Sequence, residues 1–408
     1  MTKRYPNRLF FLVVFCLGIF ACGQSQKKPA TNGQSESDLP APYSTSSADN
    51  GPRVVSRPKG AELHLPPGFK IEEFASDFNV PRWMIQGPNG DIFVSEVGAN
   101  RITVLRGIKD GKPESRSVFA SGLTLPFGMA IHNGYFYIAN TNSVIRYHYT
   151  PGQTEAQGAS EKIIDLPGRG YNQHWTRNIL FSPDGSKLYV TVGSQTNVSV
   201  EPDERRAAIS VYDPDGGSHR VFASGIRNPV GLDFYPGTDT LWAAVNERDE
   251  LGDDLVPDYV TSVKDGGFYG WPYYYIGNHQ DPRHKGERPD LASKVIVPDV
   301  LLRSHVAALG LHFYRGDQFP ADYKGDAFVA LHGSWNRSLR VGYKVIRIHF
   351  RDGKPDGEPQ DFLTGWLIDP GTHDVWGRPV GLLELNDGSL LVTDDGANKI
   401  WRITYSRQ

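Results

Sequence analysis

The chain reads as an all-β protein, a six-bladed β-propeller of four-stranded antiparallel blades around a central channel. Its 408 residues include 44 Gly and 29 Pro, with 12% aromatics, a composition that suits many short strands joined by tight turns. No long run carries the 3.6-residue apolar period of a helix. The deciding observation is a hairpin-like segment that recurs along the chain, because radial repetition is how an antiparallel sheet protein without disulfides protects its edges.

The repeats read VPRWMIQGPNGDIFVSE (80–96), LPFGMAIHNGYFYIAN (125–140), HWTRNILFSPDGSKLYVTVG (174–193), NPVGLDFYPGTDTLWAAV (228–245) and RPVGLLELNDGSLLVTDD (378–395). A sixth, 306–333, has the same ends and a longer turn. Each enters an apolar strand through Pro or Gly, turns at PNG, PDG or NDG, where Gly, Asn and Asp tolerate positive φ, and leaves on a second apolar strand. Long insertions follow the fourth and fifth repeats. The early strand FKIEEFAS (69–76) is expected to join the last blade and close the ring.

Ahead of the repeats lie two other segments. Lys3, Arg4 and Arg8 precede an apolar run from Leu9 to Ala21, the form of a secretory signal and too short to span a bilayer stably. Ile19-Phe20-Ala21-Cys22 resembles a bacterial lipobox, with Phe20 bulkier than usual, so residues 1–22 are expected to be a lipoprotein signal and Cys22 the lipidated residue. Gly23 after it favours an outer-membrane anchor, with the folded domain periplasmic or surface-facing. Residues 23–60, rich in Gly, Ser, Pro and Gln, are read as a disordered tether, and 61–408 as the propeller. No cysteine follows Cys22, so the domain is held by its core and its closure. A net charge of −3 offers no basic field for nucleic acid.

The motifs carry a resemblance. GRGYNQHWTRN then FSPDG, GIRNPVGL, NERDELGDD, GGFYGWP, HGSWNRS and WGRPVGLL, in that order over about residues 60–405, are similar to the soluble glucose and sorbosone dehydrogenase family, nearest its sorbosone-dehydrogenase-like branch. That family consists of six-bladed propellers using pyrroloquinoline quinone (PQQ) and Ca²⁺, so the resemblance implies hydride transfer from a sugar or sugar aldehyde to the quinone and electrons passed to an external acceptor. No CxxCH motif provides a c-type haem relay. The stretch 225–272 holds the densest set of these motifs.

The resemblance also implies roles. His174 matches the general base, as an imidazole near its neutral form suits; otherwise it bonds a loop carbonyl. Arg227 and Asn228 match the Arg-Asn pair beside the cofactor, where a guanidinium clamps a carboxylate or stabilises charge developing on the quinone; otherwise Arg227 is a salt bridge to a loop acid. Arg378 and Arg337 match further cofactor contacts, Arg337 where the family often has Lys, and Trp376 beside Arg378 offers a ring on which the cofactor or a sugar stacks. Tyr269, Trp271 and Trp335 offer rings for stacking or merely wedge the blades. The acidic run from Glu247 to Asp254 matches the Ca²⁺ loop, with the Arg248 and Asp249 carbonyls as first candidates beside Glu247; otherwise it is a solvated turn. A glutamine that the glucose-oxidising members place in an early loop has no counterpart in Leu125-Pro126-Phe127-Gly128. Two alternatives stand beside this reading: a Ca²⁺-dependent propeller lactonase or hydrolase, and a non-catalytic, surface-anchored propeller that binds glycans or protein.

Overall fold

The computed structural model describes Met1 and residues 31–168 and 174–406. The expected signal at 1–22, Cys22 and the first part of the tether lie outside the described residues, as do 169–173 of the GRGYNQ motif. Among the described residues no helix is long and apolar enough to cross a membrane.

Six sheets form the propeller. The first blade runs Pro81–Gln86, Ile92–Glu96, Arg101–Lys109 and Lys112–Ala120, and the second Met129–His132, Tyr135–Asn140, Ser143–His148 and Glu161–Asp165. The third comprises Ile179–Phe181, Leu188–Val192, Ala208–Tyr212 and Arg220–Ser224, with Gly267–Phe268 added in parallel at its edge. The fourth is built from Asn228–Phe234, Leu241–Asn246, Pro257–Ser262 and Val300–Ser304, the fifth from Ala308–Phe313, Ala327–Leu331, Lys344–Ile348 and Gln360–Leu363. The sixth takes Pro379–Glu384, Leu390–Asp394 and Lys399–Tyr405, and its outer strand is Phe69–Ala75 from the other end of the chain. Pairing from Phe69 with Tyr405 to Ala75 with Ile400 closes the ring as expected.

Every sequence repeat is the inner hairpin of one blade. The Pro-x-Gly wording of the repeats has a packing cause. A Cβ on Gly231 would stand 2.3 Å from the Leu309 carbonyl oxygen, one on Gly310 2.3 Å from that of Val380, and one on Gly381 2.4 Å from that of Arg82. Each inner strand thus touches the backbone of the next blade, and only glycine permits the approach. Aromatics fill the wedges behind: Phe93, Phe119 and Phe136 are buried with ring centroids 4.6 to 5.0 Å apart. Burial of each such side chain contributes roughly 1.5–3 kcal/mol.

The tether expectation needs correction from residue 31 onward. Residues 31–57 run across the propeller loops. The Gln34 amide donates to the Leu301 carbonyl at 3.0 Å, Tyr43 to Leu251 at 2.8 Å and Asn50 to Trp335 at 2.8 Å. Arg53–Val54 then pairs in parallel with Asp374–Val375. Composition measured how little apolar surface this segment could bury, whereas backbone and amide hydrogen bonds hold it.

Candidate functional site

Both ends of the inner hairpins open onto one cavity of about 470 Å³ at the channel mouth, and its lining includes Arg82, His174, Arg227, Asn228, His332 and Arg378. Strand entries contribute Arg82, Asn228 and Arg378, and the residues just past second strands contribute Glu247 and His332. Trp175 and Trp335 bring aromatic faces, Trp335 with an exposed edge.

One wall is built around Arg227, which is fully buried. Its Nε donates to the Asn197 carbonyl at 3.3 Å, Nη1 to the Glu247 carbonyl, and Nη2 to Asn197 Oδ1 and Asp249 Oδ2, both at 3.0 Å. His305 Nδ1 adds a contact to Asp249 Oδ1 at 3.3 Å. Burial alone would raise the Asp249 carboxyl, but Arg227 and His305 hold it below its ordinary value. Trp271 Nε1 bonds the Asn197 carbonyl at 2.9 Å and so steadies the whole arrangement. Arg227 is therefore chiefly a brace for the 247–250 loop, the salt-bridge alternative raised by the sequence. Asn228 beside it is buried with its Oδ1 unpartnered among the described residues.

His174 belongs to the same wall. Its Nδ1 lies 2.8 Å from the Ser194 carbonyl and 3.0 Å from the Ser194 hydroxyl. A carbonyl only accepts, so Nδ1 carries the proton and Nε2 is left as an acceptor. Burial, then the charge of Arg227, pushes the imidazole down to about 3, which keeps it neutral. Arg177 holds the loop from behind, donating through Nη1 to the carbonyls of His174 and Thr176 at 2.8 Å each.

The opposite wall was only partly foreseen. Arg378 donates through Nε to the His332 carbonyl at 3.2 Å, and its Nη1 and Nη2 have no partner among the described residues. Burial depresses this guanidinium. His332 Nε2 sits 2.9 and 3.0 Å from the two oxygens of Asp395, and Arg82 pairs with the same carboxylate. Arg82 also lies over the Trp175 ring, 5.1 Å from its centroid. Arg82, His332 and Asp395 escaped the sequence reading. Their signal was positional: His332 and Asp395 close the 306–333 and 378–395 repeats, and Arg82 is the third residue of the first.

Two expected cofactor contacts lie elsewhere, and for Tyr269 the wedge alternative holds. Arg337 is not on the cavity: it bonds the Asp253 carbonyl and pairs with Asp254 at 2.6 Å, bracing the acidic loop. Trp376 is buried in the core between the fifth and sixth blades, its Nε1 donating to Gly365 at 2.7 Å. Tyr269 is likewise core, its hydroxyl on the Ser262 carbonyl at 2.8 Å. The carbonyls proposed for Ca²⁺ are engaged by the protein. That of Arg248 accepts from Val256 at 3.4 Å, that of Asp249 from Asn197 Nδ2 at 3.1 Å and from Arg248 Nη1. The Arg248 side chain itself pairs with Asp281. Among the described residues no three His, Cys, Asp or Glu side chains converge as a metal set.

An uncharacterized protein of Borreliella burgdorferi is 30% identical over 361 residues, covering 85% of this chain and 91% of that one. The pyrroloquinoline quinone-dependent pyranose dehydrogenase of Coprinopsis cinerea is 24% identical over 405 residues, 84% of this chain, which spans about half (54%) of that protein's length. The solved holo form of its PQQ domain superposes with a TM-score of 0.71 at 21% identity, covering 85% of this chain and 97% of that one. The calcium structure of a Trichoderma reesei carbohydrate-active enzyme of family AA12 gives 0.74 at 20% identity, covering 88% and 99%. At these identities the likeness establishes the six-bladed fold. The TrAA12-like family profile matches residues 63–262 and 280–406, and on that match the chain belongs to the TrAA12-like family.

Proposed function

We propose that the chain is a PQQ-dependent sugar dehydrogenase that oxidises a pyranose or other aldose and passes the electrons to an external acceptor. The observation that carries this reading is the cavity in which the outer nitrogens of Arg378 have no partner among the described residues, with two neutral imidazoles on the same lining. A half-buried guanidinium that turns its outer N–H groups to a cavity is placed to bind an anion there, and a planar tricarboxylate is such an anion. When bound, an ortho-quinone of this kind supplies the two-electron acceptor that the chain itself lacks. Arg378 and Arg82 are the groups that would hold it, and Trp175 and Trp335 flank it with apolar faces. An imidazole on the cavity takes the sugar hydroxyl proton, the role the sequence assigns to His174.

The names of the relatives, a pyranose dehydrogenase and PQQ-domain structures, favour the same reading. Restriction to sorbosone has no support beyond motif wording. Ca²⁺ is the weaker half of the cofactor pair, since an ion at the Glu247 or Asp249 carbonyl would share that oxygen with the guanidinium of Arg227 or Arg248 and meet its charge. The leader-like residues 1–22 favour export, with anchoring through Cys22 as the corresponding proposal.

The test is a titration of the purified chain with PQQ, with and without a Ca²⁺ chelator, followed by mixing with a panel of aldoses. Saturable binding and bleaching of the quinone by a sugar are expected. Absence of binding in either buffer removes the reading, and loss of binding only with chelator restores the ion to it.

A further inference from the structure

Large apolar side chains are unevenly spread over the surface. Apart from Met1, nine stand exposed among the described residues, and six of them, Tyr43, Val54, Val200, Trp335, Leu339 and Ile368, belong to one face. In an antiparallel blade the loops after second strands and before first strands share a face, which sets 193–207, 247–256, 332–343 and 364–378 together around the cavity mouth. Tyr43 and Val54 join them through the early segment, the Tyr43 amide donating to the Leu251 carbonyl and Val54 pairing with Val375. The other three, Ile108, Val118 and Val297, lie on the outer hairpin of the first blade and the insertion of the fourth.

The centre of this face is Leu339, 57% exposed, and Ile368, 47% exposed. The Arg340 amide donates to the Pro370 carbonyl at 2.9 Å and so ties the two loops that carry them, and Trp335 on the first of these loops lines the cavity. Apolar residues gathered in this way inside a polar rim mark a surface that another molecule covers. The rim is acidic. The four loops expose Glu204, Glu250, Asp254 and Asp369 and no Lys or Arg. The early segment exposes Glu36, Asp38 and Asp49 against Arg53 and Arg57, and Arg53 is taken by Asp374 at 2.6 Å. Asp254 is paired with Arg337 at 2.6 Å. The neighbouring 281–290 turn is balanced: Arg283 meets Glu250 at 3.2 Å and Arg288 meets Asp290 at 2.8 Å, which leaves Lys285 against Glu287.

We propose that this face, centred on Leu339 and Ile368, is the docking surface for a small redox protein of basic surface that collects the electrons of the reaction. The assignment rests on the dehydrogenase reading above. Oxidation of the sugar leaves two electrons in the cofactor, and the chain has no CxxCH motif for a haem relay of its own. Two encounters remove them, each reducing one carrier by one electron, and the two protons of the reduced cofactor pass to water. Weak electron-transfer encounters bury about 1,200 Å² or less, and an acidic rim steers a basic partner to the mouth under which the electrons are held. The same carboxylates disfavour an anionic lipid surface.

The experiment uses the full chain, with a basic cytochrome c as probe and the same cytochrome with succinylated lysines as its charge-reversed twin. Calorimetric titration of the chain without PQQ should show the basic form binding and the succinylated form not, with affinity falling about 10-fold between roughly 20 and 200 mM NaCl. Leu339→Ser with Ile368→Ser should weaken that binding by about 10-fold. In the PQQ-loaded chain the same pair should lower kcat/KM for cytochrome reduction and leave the rate with a small dye unchanged. Asp49→Lys with Asp369→Lys should move the preference toward the succinylated form. Binding indifferent to salt, binding untouched by both pairs, or an equal loss with dye and cytochrome overturns the surface. So does a dimer in sedimentation, or retention on phosphatidylcholine–phosphatidylglycerol vesicles, that Leu339→Ser with Ile368→Ser abolishes, because the face then belongs to a second copy or to lipid. If the loaded chain passes no electrons from any aldose to the dye, the dehydrogenase reading fails and takes the carrier with it. If it reduces the dye and binds no cytochrome, the docking surface alone fails.

Discussion

Arg227 and Arg378 both line the cavity beside the entry of an inner strand, Arg227 one residue further from its Pro-Val-Gly than Arg378, and they differ in what they hold. Arg227 places four N–H bonds on Asn197, Glu247 and Asp249. Arg378 places one, through Nε, on the His332 carbonyl. The first guanidinium keeps a wall standing, and the second presents donors to whatever enters. A motif fixes the residue at the rim of the channel; the loops packed around it decide whether its charge is consumed or displayed.

The largest effect should come from removing the brace. Arg227→Ala leaves Asp249 buried without its main partner, and breaking a buried pair of this kind costs about 3–5 kcal/mol. Chemical denaturation at neutral pH measures it. A variant as stable as the parent would mean that the wall does not depend on the pair.

The displayed wall should show itself next through pH. Burial, then Arg378, depresses the His332 imidazole to about 4 from its ordinary 6.5. Its neutral form is the folded form, so its contribution is complete above pH 6.5 and is lost as pH falls toward 4, where the unfolded chain binds the proton and the folded chain does not. At about 1.4 kcal/mol per unit, the loss by pH 4 is about 3 kcal/mol. His332→Gln has no proton to take up, so the stability gap between parent and variant should move in favour of the variant by about that amount between pH 7 and pH 4. A gap that does not change with pH would place the imidazole in water.

The propeller was legible because its inner hairpins need alternating apolar residues, a turn with positive φ and a glycine against the next blade, all of which are local. Outer strands were harder to see: Lys112–Ala120 is mostly exposed and carries little apolar pattern. At the site, His174, Asn228 and Arg378 were legible from motifs, whereas Arg82 with Asp395 was not. Those two residues lie 313 positions apart and meet only because the ring closes. Arg337 and Trp376 misled because they neighbour residues that do line the cavity. Each lies two residues from its cavity neighbour, Trp335 or Arg378, in irregular backbone outside the strands, where the two-residue alternation that would keep both on one face does not hold. The 31–57 segment was invisible to composition, which reports apolar burial and not the amides and carbonyls waiting on the loops.

Arg378→Met separates display from brace more directly. It removes the two outer nitrogens that no described protein group uses, together with the single Nε bond to the His332 carbonyl, so PQQ affinity should fall by about 100-fold, the loss of one bidentate charged contact at about 2–3 kcal/mol. Thermal stability should hold or rise, because a desolvated cation is replaced by an apolar chain of similar length. A fall in both would make Arg378 a second brace.

The smallest effect tests whether a third element contributes to the rim. Asn50 links the early segment to the loop that carries Trp335: its Nδ2 donates to the Arg337 and Ser338 carbonyls at 2.9 Å each, and its Oδ1 accepts from Arg340 Nη2 at 2.7 Å. Arg340 is fully buried and also bonds the Gly51 carbonyl at 2.9 Å and the Thr372 carbonyl at 2.7 Å, so it keeps most of its partners when Asn50 is shortened. Asn50→Ala should therefore cost only about 1–2 kcal/mol, seen as a drop of a few degrees in Tm. Because the Trp335 carbonyl still receives the residue 50 backbone amide, the indole should stay at the mouth and PQQ affinity should change little. A loss of affinity out of proportion to the loss of stability would show that the segment tunes the cavity itself, and the rim would then have three working parts instead of two.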